Sequence, residues 1–80
     1  MEEQVAHKLR LIFLHHFKIM EKNFDWHKPM IELQPNFKLL AYLKELEQQI
    51  GKIMEKDIVL LGKINVLIHT PEDILRQIHG

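Results

Sequence analysis

The chain has 80 residues, no cysteine, and eleven basic residues balanced by eleven acidic ones. This length makes one small domain, residues 1–80, which buries only about 60% of the surface its unfolded chain exposes. Without cysteine there are no disulfides, thiol catalysis or cysteine-based zinc sites, and balanced charge argues against a nucleic-acid binder that neutralises phosphates. No apolar run approaches the roughly 20 residues of a membrane span and no signal peptide opens the chain, so a cytoplasmic protein is expected. A hydrophobic fraction of 46% is enough for one core, and the abundance of Leu, Ile, Lys, Glu and Gln favours helix. The expected fold class is all-α.

Residues 2–17 form the first predicted helix. Val5, Leu9, Ile12, Phe13 and Phe17 recur at helical spacing, and Glu2 and Glu3 suit the positive end of the helix dipole. Leu11 and Leu14 widen the stripe, so burial on more than one side is expected. Residues 18–35 are too irregular for a long helix, because Asn23, Asp25, Pro29 and Pro35 interrupt them. Phe24, Trp26, Met30, Ile31 and Leu33 are nevertheless strongly apolar. The segment reads as a long connection packed onto the bundle, with Trp26 and Leu33 as anchors, and ordered loops of that length are often functional.

The second predicted helix runs over residues 36–49, opened by Asn36 as its cap and stopped by Gly51. Leu39, Leu40, Leu43, Leu46, Glu47 and Ile50 share one arc and read as the core face. Phe37, Ala41, Lys44 and Gln48 fall on the opposite side, within reach of a partner. Phe37 is the best single contact residue on this reading, since a large exposed apolar group at a helix start can mark an interface. The competing reading folds Phe37 back onto the loop. Residues 57–69 are ambiguous between a hairpin around Gly62-Lys63 and a short helix. The last helix is plain: Thr70 caps it, Pro71 takes its first position, and Glu72 and Asp73 lie in its first turn. Ile74, Leu75 and Ile78 supply its buried face.

No catalytic constellation is visible, and no enzyme is expected. Serine and cysteine are absent, so the common nucleophiles of acyl transfer are missing. Thr70 and Tyr42 are the only hydroxyl residues, and Thr70 is occupied as a cap. The six histidines do not converge at a spacing that would give three or four metal donors, so neither metal nor cofactor is expected.

The order of long helix, packed loop, central helix, variable element and Thr-capped final helix resembles the acyl carrier protein family. The likeness is carried by Phe24-Asp25-Trp26-His27-Lys28-Pro29-Met30, by the stretch from Leu33 to Gly51, and by Thr70-Pro71-Glu72-Asp73-Ile74-Leu75. It implies a small acyl-carrier-protein-like helical bundle of three to four helices with a long packed loop between helices one and two. In that family a Leu-Gly-x-Asp-Ser-Leu motif opens helix two, and its serine carries the phosphopantetheine arm. Counted back from Gly51, the serine position falls on Asn36, with Pro35 at the aspartate and Phe37 at the leucine. An asparagine amide cannot attack the diphosphate of coenzyme A, so the resemblance implies a protein without the arm. Lys38 and Ala41 also stand where the family is often acidic, Lys44 adds positive charge, and the interval from Gly51 to Thr70 is longer than the family's.

The implied function is that of an atypical carrier homologue in fatty-acid or polyketide-type synthesis, acting by protein–protein contact. Its partner would be a synthase enzyme or another carrier protein, met through Asn36, Phe37, Ala41, Lys44 and Gln48. From a different class, the alternative is an unrelated helical interaction or oligomerisation module, monomer or homodimer, built on residues 58–68. A third reading binds an acyl chain noncovalently inside the bundle.

Overall fold

Val5, Leu9, Ile12 and Phe13 of the first helix reach the core, joined by Phe17 at its C-cap, in the computed structural model, which describes residues 2–79. The fold is an all-α small helical bundle: α1 (Glu2–Leu11), α2 (Met30–Leu33), α3 (Leu40–Met54) and α4 (Pro71–His79), with no strand among the described residues. The side chains of Glu2 and Glu3, expected to complement the dipole of α1, lie outside the described residues. The first helix widens at its end. Over Ile12–His16 it is a π-helix, closed by the Phe17 N–H donating to the Ile12 carbonyl at 3.2 Å. Lys18 then takes a left-handed backbone, φ 57°, and ends the run.

The core is wholly apolar. Leu9, Phe13, Met30, Leu46, Ile50, Leu60 and Ile74 are fully buried, and no polar or charged residue joins them among the described residues. The long connection packs down as expected, with Trp26 and Leu33 half-buried against the core and Met30 at its centre. Phe24 bridges the connection to α1, with its ring 5.7 Å from Phe13 and 5.2 Å from Trp26. The Trp26 carbonyl accepts the Glu72 N–H at 3.1 Å, which ties the loop to the start of α4.

The second long helix departs from expectation at both ends. It starts at Leu40, after a 3-10 turn over Pro35–Lys38, and Asn36 does not cap it. The cap position is Leu39, an extended residue without a side-chain hydrogen bond to the helix. The reason is Phe37. In an unbroken helix from Asn36, its side chain would point away from the face that carries Leu43, Leu46 and Ile50. The break at Leu39 turns it inward, where it is 2% exposed and packs among Phe13, Phe17 and Tyr42. Leu40, expected in the core, is turned out instead, at 73% exposure. At the other end Gly51 does not stop α3, which continues to Met54 because Ile53 and Met54 pack on the core. Glu55 supplies the left-handed cap at φ 55°, and its N–H bonds the Gly51 carbonyl.

Residues 57–69 are neither hairpin nor helix. Two tight turns replace them. The Lys63 and Ile64 N–H groups both donate to the Leu60 carbonyl, and the Ile68 and His69 N–H groups donate to the Asn65 carbonyl. Helix α4 starts as read. Thr70 Oγ1 accepts the Asp73 N–H at 3.2 Å, and Asp73 Oδ2 accepts the Thr70 N–H at 2.9 Å, a reciprocal cap.

Candidate functional site

The amino-terminal end of α3 is held from behind by Gln34. Its amide nitrogen donates to the Phe17 carbonyl at 2.9 Å, and its amide oxygen accepts the Asn36 N–H at 3.3 Å. The 3-10 turn is thereby clamped to the end of the first helix. Asn36 sits on the outside of this turn, exposed, with its amide nitrogen 3.3 Å from the Tyr42 hydroxyl. It keeps a polar role by bonding Tyr42, and the Tyr42 ring covers the buried Phe37 at 6.1 Å between centroids.

Beside this turn lies an open groove of about 390 Å³ between the start of α3 and the two turns that precede α4. Phe37, Leu40 and Leu43 line one side, and Ile64, Val66 and His69 line the other. Its charged residues are Lys38 on the first side and Lys63 on the second, and no carboxylate lines it. Three sets of hydrogen bonds fix the second wall. Glu47 of α3 accepts the Leu60 and Leu61 N–H groups at 2.7 and 2.8 Å. The Val66 and His69 carbonyls accept the Ile31 and Met30 N–H groups at 3.1 and 2.9 Å, which also serves the otherwise open start of α2. Finally, His69 Nδ1 accepts the Asn65 N–H at 2.8 Å, and Asn65 Oδ1 accepts the Leu67 N–H at 3.0 Å. The same turn leaves Leu67 and Ile68 64% and 63% exposed.

The residues expected to meet a partner are thus only partly brought together. Asn36, Ala41, Lys44 and Gln48 are exposed. Ala41 borders a separate hollow of about 320 Å³ with His16, Tyr42 and Glu45, in which His16 Nε2 lies 3.0 Å from a Glu45 carboxylate oxygen. Gln48 lies toward the far end of α3, beside Lys52 and Glu55. Phe37 is the correction: it is a core residue, so the exposure on which its contact role rested does not exist. Leu39 and Leu40 take its place at the surface, and the basic residues Lys38 and Lys63 flank the groove. Leu40 is the first residue of α3 and sits at the edge of its apolar arc, so helical spacing alone did not show that it faces out.

The remaining polar features serve the fold. Thr70 is fully used by the α4 cap. Donation of the Thr70 backbone N–H holds the Asp73 carboxyl below its ordinary value of 3.8. Burial opposes this, while the Thr70 hydroxyl and the charge of Arg76 add to it. The Asp25 carboxylate accepts the His27 N–H at 2.8 Å, a local turn within the long connection. No helix among the described residues is long and apolar enough to cross a membrane. Comparison of the chain with protein-family models, with curated proteins and with solved structures returned no match.

Proposed function

We propose that this domain is an acyl-carrier-protein-like module of fatty-acid or polyketide-type synthesis that bears no pantetheine arm and acts by contact with a protein partner. The observation that carries this reading is Asn36, exposed in the turn directly ahead of α3. That is where the resemblance puts the attachment serine, and an amide cannot perform the serine's displacement on coenzyme A. The packed connection between the first two long helices and the capped final helix agree with the same reading. Leu39 and Leu40, large apolar groups exposed at a helix start, are suited to burial by a partner. The contact surface is therefore Asn36, Leu39, Leu40, Ala41 and Lys44, with Gln48 at its distal edge.

The test has two arms. Incubation with coenzyme A and a promiscuous phosphopantetheinyl transferase, read by intact mass, should leave the protein unchanged. A gain of one arm's mass overturns the reading. In the second arm, binding of the synthase enzymes or carriers of the source organism is compared for wild type and Leu40→Glu. Loss of binding in the variant places the contact at the start of α3, and unchanged binding removes it from there.

One observation favours a second reading, an oligomerisation module unrelated to carriers. Val59, Leu67 and Ile68 are each more than half exposed, at 55%, 64% and 63%, within the stretch that precedes α4. Light scattering discriminates: a dimer that Ile68→Lys converts to monomer supports this second reading, and a monomer at all concentrations removes it.

A further inference from the structure

The chain carries as many acids as bases, eleven of each, yet the groove at the start of α3 is lined by two lysines and no acid. Lys38 and Lys63 stand on its two opposite sides and are exposed, and the apolar groups between them include Leu40 and Ile64. An apolar channel between two cations matches a segment that is apolar along one line and acidic on both flanks. We infer that the groove receives an acidic amphipathic helix of a partner protein, its apolar side chains on Leu40, Ile64 and Val66 and its carboxylates on Lys38 and Lys63. The inference rests on the proposed contact role of this end of α3 and specifies the partner's chemistry.

Charge decides among the possible occupants. A second copy docked by two-fold symmetry would set the same patch against itself. Lys38 and Lys63 would then face only lysines, so a symmetric dimer through this groove is disfavoured. A bilayer with anionic headgroups would suit the lysines. Its flat surface, however, rests on the rims and leaves the space between the two walls unfilled. A helix does fill it, because its side chains project at i, i+3 and i+7 from a narrow rod. The volume of about 390 Å³ lies within the range of sites that hold a few large groups.

The experiment titrates isotope-labelled full chain with two synthetic helical peptides that share one leucine stripe, flanked in one by glutamates and in the other by lysines. Vesicles of phosphatidylcholine with phosphatidylglycerol form a third arm. The glutamate peptide should shift the amide resonances of Leu40, Gly62, Lys63 and Val66, and added salt should weaken it. The lysine peptide and the vesicles should leave those resonances in place. The double variant Lys38→Glu, Lys63→Glu should bind the glutamate peptide about tenfold more weakly and now accept the lysine peptide. Both positions are exposed, so the variant is expected to fold, and its amide spectrum verifies this. Equal shifts from both peptides, shifts confined to another face, no shifts at all, or vesicles acting where the glutamate peptide does not would each overturn the inference. If Leu40→Glu still abolishes binding of a natural partner while the glutamate peptide fails, the contact surface stands and only the acidic partner is wrong.

Discussion

The carboxylate of Glu47, midway along α3, accepts the backbone N–H of Leu60 at 2.7 Å, and the same oxygen accepts that of Leu61 at 2.8 Å. One helical side chain thus fastens a segment with no regular structure of its own. Leu60 is fully buried, so its N–H would otherwise face the core without a partner. Glu47→Ala should cost about 2–3 kcal/mol, since charge-assisted bonds to backbone donors contribute more than neutral ones. Glu47→Gln keeps an acceptor and should cost about half as much. Urea denaturation measures both. In Glu47→Ala the amides of Gly62 to Ile64 should also broaden, because the wall of the groove is no longer held.

Phe37 and Leu40 should separate stability from recognition. Phe37→Ala empties space among three other aromatic rings and should cost about 3–5 kcal/mol, a large share of the stability of so small a domain. Leu40→Glu alters a residue 73% exposed and should change stability by no more than about 0.5 kcal/mol. Thermal melts of the two variants give the comparison directly. The opposite ranking would mean that Phe37 lies outside the core.

The Thr70 cap gives a prediction with a pH signature. Thr70→Ala removes the hydroxyl that accepts the Asp73 N–H and should cost about 1 kcal/mol. Asp73 itself is held below its ordinary value of 3.8, chiefly by the Thr70 N–H, so its ionised form is favoured in the folded state. Its contribution is fully present above that ordinary value and fades as pH falls through the lower, folded-state one. Denaturation midpoints of wild type and Asp73→Asn should differ at neutral pH and converge in acid. A difference that grew on acidification would contradict the assignment.

Gly62 takes φ +82°, a left-handed backbone at the tip of the turn that carries Lys63. A Cβ at this position would meet nothing within 4 Å, so the penalty of Gly62→Ala is conformational alone. It should be about 1 kcal/mol by chemical denaturation, with the groove otherwise intact. A larger loss would point to a contact with the turn that the geometry does not contain.

The parts legible in the sequence are those decided within a few residues of chain. Thr70-Pro71-Glu72-Asp73 states its own helix start, because the donors and acceptors of the cap are three residues apart. The stripe from Val5 to Phe17 needs only helical spacing. Trp26 and Leu33 could be read as anchors because large apolar groups in a connection have nowhere to go but the core. The start of α3 was not legible. Asn36 looks like a cap, yet the turn it belongs to is set by Gln34 reaching back to Phe17 and by three aromatic rings that draw Phe37 inward. Of these partners Phe13 and Phe17 belong to the first helix, far away in sequence, and their pull reverses the outward orientation that periodicity assigns to Phe37.

The same division applies to the candidate site. Ala41, Lys44 and Gln48 are exposed as helical spacing requires, because within α3 the spacing is uninterrupted. The groove has no counterpart in any single stretch, since Lys38 and Lys63 are separated by the whole of α3. Composition and local pattern by themselves determined a helical domain with a defined first helix, an amphipathic central helix and a capped last one. The tertiary structure alone decided where the central helix begins, which of Phe37 and Leu40 is buried, and what shape residues 57–69 take. The physical reason is the range of the forces involved. Capping and periodicity act within one or two helical turns, whereas an aromatic cluster and the Glu47 carboxylate act between segments that meet only once the chain has folded.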